Sequence, residues 1–121
     1  MAKAVLIADD NPAIRETFRK LFEAEEAYEI CAEASNGLEA VHLAQTCRPD
    51  LVILDLSMPV MDGLSAAKKL KQLMPHVPII LFTQYADLGM NLLGAGVAVD
   101  RVVSKNDPRE LIRIIRLLLP V

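Results

Sequence analysis

Positive charge is not in excess in this sequence, and aromatic residues are scarce. Lys and Arg number 13 against 16 Asp and Glu, a net charge of −3, and aromatic residues make up 4% of 121 positions, with no Trp. A phosphate backbone needs a basic stripe and unpaired bases need a stacking platform, so this chain by itself is not expected to bind nucleic acid. No stretch approaches the roughly 18 continuous apolar residues of a membrane span, which argues against a membrane partner and places the chain in the cytoplasm. Cysteine is limited to Cys31 and Cys47, with no CxxC spacing, and isolated thiols in a reducing compartment read as small buried hydrophobes. Internal repeats, linkers and low-complexity tracts are absent as well. What is present is 53% hydrophobic and 24% charged, which at this length predicts one soluble globular domain over 1–121 with a full core.

Apolar runs of strand length alternate with stretches of helical period, the pattern of parallel strands joined by crossover helices. Strands are predicted over 4–8, 29–34, 51–54, 78–83 and 101–104. A first helix is capped by Asn11 with Pro12 in its first turn and presents Ile14, Phe18, Leu21 and Phe22 inward. A second is capped by Ser35 or Asn36, presents Leu38, Val41 and either Ala44 or Gln45, and ends before Arg48-Pro49. Further helices are predicted over 64–74, broken at Pro75, and over 87–93, stopped by Gly94 and Gly96. The last runs from Asp107-Pro108 to Leu119. Its core face is Leu111, Ile114, Ile115 and Leu118, leaving Ile112, Leu117 and Leu119 over. That surplus reads either as a homodimer or partner contact or as apolar surface shielded by the stems of Arg113 and Arg116. The class is α/β: an open five-stranded parallel sheet flanked by five helices.

Right-handed crossovers point every strand's carboxyl end to one rim, where open α/β sheets bind ligands. Asp9 and Asp10 follow the first strand, Asp55 the third, Thr83 closes the fourth and Lys105 lies just past the fifth. Each has a purely structural reading: Asp10 before a capped helix, Thr83 by β-propensity, Lys105 as a solvated amine. Asp55 resists such a reading, because Asp is depleted in strands and Leu51, Val52, Ile53 and Leu54 look buried on both faces. Three carboxylates at one rim repel one another unless a cation sits between them, so the group predicts a hard divalent metal site with one carboxylate left for chemistry. His42 and His76 fall away from this rim and are read as surface residues.

Asp9-Asp10, the segment Asp55-Leu56-Ser57-Met58-Pro59-Val60-Met61-Asp62-Gly63, Thr83 and Lys105 together resemble the receiver domain of two-component response regulators, and the resemblance spans the whole chain. It implies the sheet order 2-1-3-4-5. It also implies that Asp55 is the phosphoacceptor, that Asp10 and Asp55 hold Mg²⁺ with the backbone carbonyl of Ser57, and that Asp9 assists through water. Lys105 would pair with the phosphoryl group and the Thr83 hydroxyl would move to hydrogen-bond it. The donor would be a phosphohistidine on a sensor histidine kinase, and the output a population shift, not enzymatic turnover. The Lys105-Asn106-Asp107-Pro108 segment is closest to the branch that often carries a helix-turn-helix effector domain, here expected beyond residue 121. Three positions depart from the family: Val102 stands where an aromatic switch residue is usual, Gln84 where Ala or Gly is typical, and Asn106 where many relatives carry proline.

Physical chemistry runs parallel to the resemblance. A carboxylate can attack a phosphoryl group, but clustered negative charge repels it unless Mg²⁺ and Lys105 cancel that repulsion and stabilise the equatorial oxygens. Ser57 and the Tyr85 ring stand where they would govern the access of water to the product, and so its lifetime. Two rival classes compare poorly. An aspartyl-phosphate phosphohydrolase normally has a second Asp two residues after its nucleophile, where this chain has Ser57. A receiver-like interaction module independent of phosphate would suit Val102 and Gln84, but has no need of Asp10, Asp55 and Lys105.

Overall fold

The computed structural model describes residues 2–84 and 98–121. Five strands, β1 (Lys3–Ala8), β2 (Tyr28–Ala34), β3 (Leu51–Leu54), β4 (Ile79–Thr83) and β5 (Arg101–Ser104), form one parallel sheet in the order β2-β1-β3-β4-β5. Four helices join the described residues: α1 (Pro12–Glu23), α2 (Gly37–Cys47), α3 (Gly63–Leu73) and α4 (Pro108–Leu118). The helix predicted over 87–93 and Tyr85 lie outside the described residues. Each predicted strand is present within a residue or so of its expected bounds, as are the four other helices.

Each helix start is fixed by a short polar side chain. Asn11 accepts from the Ala13 N–H at 2.9 Å, Asn36 from Glu39 at 2.8 Å, Asp62 from Ser65 at 2.7 Å and Asp107 from Glu110 at 3.3 Å. Asn36 is therefore the cap of α2, and the Glu39 carboxylate reaches back past it to accept from the Ser35 N–H at 3.0 Å. Pro12 and Pro108 occupy first-turn positions whose N–H would have no partner anyway. Arg48, at φ 47°, ends α2 in the left-handed region.

Alternation along the strands splits the core in two. Leu6, Ala8, Val52, Leu54, Ile79 and Leu81 face α2 and α3, while Val5, Ile7, Leu51, Ile53, Ile80 and Phe82 face α1 and α4. The first layer is built on small side chains, with Ala40, Ala44, Ala66 and Ala67 all fully buried. The second is built on large ones, with the Phe18 and Phe82 rings 5.2 Å apart and tilted by 58°.

Three side chains differ from the sequence reading. Leu38 does not belong to the inner face of α2: it is 39% exposed, and Gly37, Ala40, Val41 and Ala44 are buried instead, because the helix sits too close to the sheet for a leucine there. Ile112 is buried, and Leu119 is half-buried against the same core. Of the expected surplus on the last helix only Leu117 is exposed, which withdraws most of the apolar surface for a dimer contact. His42 and His76 are exposed, as expected.

Candidate functional site

The strand ladder runs one residue past the rim. The Asp55 N–H donates to the Ala8 carbonyl at 2.9 Å, Asp9 to Ala34 at 3.0 Å and Lys105 to Thr83 at 3.0 Å, so these residues inherit the register of the sheet. Their side chains converge. Asp9, Asp10 and Asp55 each offer a carboxylate oxygen, all within 4.8 Å of one another. The Lys105 ammonium reaches both buried acids, at 2.7 Å from Asp9 Oδ2 and 3.3 Å from Asp55 Oδ1. Asp9, Asp55 and Thr83 are buried, whereas Asp10 and Ser57 are exposed at the pocket's mouth.

Charge in this pocket is held against its preference. Burial, and then the neighbouring charge of Asp9, raise the Asp55 carboxyl above its ordinary range, against the opposing pull of Lys105 and of a backbone hydrogen bond from Ser57. Burial pulls the Lys105 ammonium down, but close contact with Asp9 and then Asp55 outweighs it and leaves the lysine raised. Two carboxylates share one ammonium, and Asp10 adds a third negative charge. Asp9 Oδ2 is buried, and among the described residues its polar partner is the Lys105 ammonium. A buried oxygen with spare lone pairs, in an all-carboxylate set open to solvent through Asp10, fits a hard divalent cation.

Two features of the pocket are not apparent from the sequence. Arg15, one turn into α1, donates to the Asp9 backbone carbonyl at 2.6 Å and faces Glu33 at 3.7 Å. Together with the Asn11 N–H on Asp9 Oδ1 at 2.9 Å, this fixes the turn that carries both acids. A cation five residues after an acidic pair, on a helix whose cap is legible, was the available signal. The second is the close seat of α3: a Cβ on Gly63 would lie 2.1 Å from the Asp55 carbonyl oxygen. Val102, in place of the usual aromatic residue, is half-buried against the α2–α3 layer, and Gln84 is exposed.

Residues 5–116 match the family model described as the response regulator receiver domain. The chain is a receiver domain. It is similar to the transcriptional regulatory protein YhcZ of Bacillus subtilis, 38% identical over 111 residues that cover 90% of this chain and 51% of that protein. Chemotaxis protein CheY of Halobacterium salinarum is 41% identical over 83 residues, covering 69% of this chain and 68% of that one. Among solved structures, the response regulator TrrA of Thermotoga maritima in complex with Mg²⁺-BeF superposes with a TM-score of 0.84 at 36% identity, covering 97% of this chain and 99% of that one. This receiver domain spans about half or less of several curated relatives it matches. As a receiver domain it is a phosphorylation-dependent signalling switch, and receiver domains generally bind Mg²⁺ at an acidic pocket. Among the described residues no helix is long and apolar enough to cross a membrane.

Proposed function

We propose that Asp55 accepts a phosphoryl group from a phosphohistidine of a sensor histidine kinase and holds it as a reversible signal in the cytoplasm. One observation carries the assignment: Asp55 shares the Lys105 ammonium with Asp9 while lying within 4.8 Å of both other acids. Asp9 meets the same conditions, but its Oδ1 is taken by the Asn11 N–H and it is 1% exposed against 7% for Asp55, which leaves Asp55 as the carboxylate that a lysine, a metal and an incoming phosphoryl group can address together. An Asp55 carboxylate oxygen attacks phosphorus, the P–N bond to the histidine breaks, and an acyl phosphate results. Asp10, Asp55 and the backbone carbonyl of Ser57 would hold Mg²⁺, with Asp9 assisting through water, and the ion would supply positive charge that offsets the phosphoryl oxygens. Lys105 exchanges a carboxylate partner for a phosphoryl oxygen, its position held by the backbone bond to Thr83.

Thr83 ends β4 beside this pair and its hydroxyl is proposed to hydrogen-bond the phosphoryl group. The added roughly −1.5 to −2 charges would shift the domain between two populations. Val102 leaves the usual aromatic swing out of that transition. The similarity to YhcZ supports control of transcription through an effector domain beyond residue 121 as the output. Incubation with Mg²⁺ and a small acyl-phosphate donor, followed by intact-mass measurement, tests the reading. A single phosphoryl adduct that disappears in Asp55→Asn is expected; an unmodified wild-type chain, or an adduct that survives that substitution, overturns it.

A further inference from the structure

Cys31 lies in the middle of β2 and Cys47 is the last residue of α2, yet their sulfurs are 3.0 Å apart. Both thiols are free and half-buried at the margin of the α2–α3 core layer. A core that only needed small apolar groups at these positions would be served by alanine, as at four neighbouring sites of the same layer. Two thiols from separate elements in direct contact are a different matter. We propose that Cys31 and Cys47 form a reversible dithiol–disulfide site, oxidised by exchange with a low-molecular-weight disulfide.

The sulfurs need to close by about 1 Å to reach bonding distance, a movement within reach of the last turn of a helix. Burial, and then contact with Cys47, push the Cys31 thiol up to about 12, so it stays protonated at neutral pH. In the proposed order the Cys47 thiol gives its proton to solvent and its sulfur attacks one sulfur of the small disulfide. The reagent's S–S bond breaks, half of it leaves as a thiolate, and Cys47 carries the other half as a mixed disulfide. Cys31 then gives up its proton to solvent and its sulfur displaces the second half, forming the Cys31–Cys47 bond. Two electrons pass from the protein thiols to the small disulfide, which ends as two thiols. In a reducing compartment such a bond is transient and responsive, not permanent.

The bond would tie an edge strand to the far end of α2, across a sequence separation of 16. Its effect falls on the stability of that corner; the acidic pocket connects to β2 and α2 elsewhere, through Ala34 and Gly37. Loop closure of this size raises the melting temperature by roughly 10 °C in a domain of this length. The test equilibrates the chain in buffers of varied reduced and oxidised glutathione, with intact mass, free-thiol titration and thermal melting as readouts. Wild type should lose the mass of two hydrogens and both free thiols and melt roughly 10 °C higher, all reversed by a strong dithiol reductant. Cys31→Ser should instead keep a single glutathione adduct on Cys47 with no melting gain, and Cys31→Ala serves the same purpose if the serine disturbs the core. Glutathione on both cysteines of the wild type, two thiols still titratable in oxidised glutathione, or an oxidised form that melts like the reduced one would each overturn the proposal.

Discussion

A methyl group added at Gly63 should damage the pocket without touching any charged atom. Its Cβ would fall 2.1 Å from the Asp55 carbonyl oxygen, 2.9 Å from the Asp55 carbonyl carbon and 3.0 Å from the Leu56 Cα. Carbon and oxygen ordinarily approach to about 3.3 Å, so Gly63→Ala demands a displacement of roughly 1 Å. The obstacle is backbone, which cannot rotate aside. The Gly63 N–H also donates to the Leu56 carbonyl at 3.0 Å, so α3 and the Asp55 loop are fastened where they would have to part. Overpacking of this kind costs about 1–3 kcal/mol, or a melting temperature lower by roughly 4–12 °C. A reactive carboxylate moved by about 1 Å should lose on the order of 10²-fold in phosphorylation rate. Gly37→Ala is the comparison, since its Cβ would meet the Met61 carbonyl oxygen at 2.3 Å, a similarly hard clash that reaches the pocket only through the loop before Gly63 and should cost less rate. Melting curves and the rate of adduct formation from a small acyl phosphate read both effects. Should Gly63→Ala match wild type in rate and melting, or should Gly37→Ala lose as much rate, the link between α3 seating and Asp55 placement would be refuted.

Without Mg²⁺ near neutral pH, Asp55→Asn should be more stable than wild type: a carboxyl whose folded pKa is raised loses stability as pH climbs above its unfolded value. Lys105→Met should move the other way by about 3 kcal/mol, leaving two buried carboxylates without their shared cation. Denaturant titrations in chelator check the pair, and an Asp55→Asn protein that unfolds first would contradict the electrostatic reading. Val60 is β-branched, 78% exposed and held at φ 68°, a region that costs such a residue about 1–2 kcal/mol, so Val60→Asn should stabilise the fold by about 1 kcal/mol; equal or lower unfolding midpoints would show the strain to be absent. Alkaline pH should weaken the domain early, because the folded-state thiol of Cys31, raised by burial to about 12, keeps a proton that the unfolded chain releases from pH 9 upward. Tyr28 and Lys105, both raised, add losses of the same sign at higher pH. Cys31→Ala should therefore flatten stability against pH between 9 and 10, and an unchanged slope would count against that burial.

What could be read from the sequence was whatever rests on periodicity, caps and strand-end polarity. Leu51 to Leu54 form β3 with the bounds expected, because a fully apolar run ending in Asp has few other solutions. The convergence of Asp9, Asp10, Asp55 and Lys105 followed from parallel topology alone. Leu38 reads as inward by periodicity, but a helix seated on alanines buries its small residues, which a period in large apolar residues does not reveal. Ile112 reads as surplus because a stripe of four residues is enough for a helix lying on a sheet, whereas α4 sits deep enough to bury Ile112 beside Leu111 and Ile115. Arg15 and the Cys31–Cys47 contact depend on how separate elements meet in three dimensions, and no local pattern encodes that.

The two layers of this core should fail in opposite ways under random mutation. Beneath α2 and α3, where Ala40, Ala44, Ala66 and Ala67 leave no free volume, nearly every change is an enlargement, and drift there is blocked by collision. Beneath α1 and α4, where Phe18, Phe82 and a row of isoleucines interlock, the common accident is truncation, which leaves a void that a neighbour can partly fill. Compensating pairs of substitutions should accordingly accumulate on the bulky side of the sheet and be rare on the alanine side.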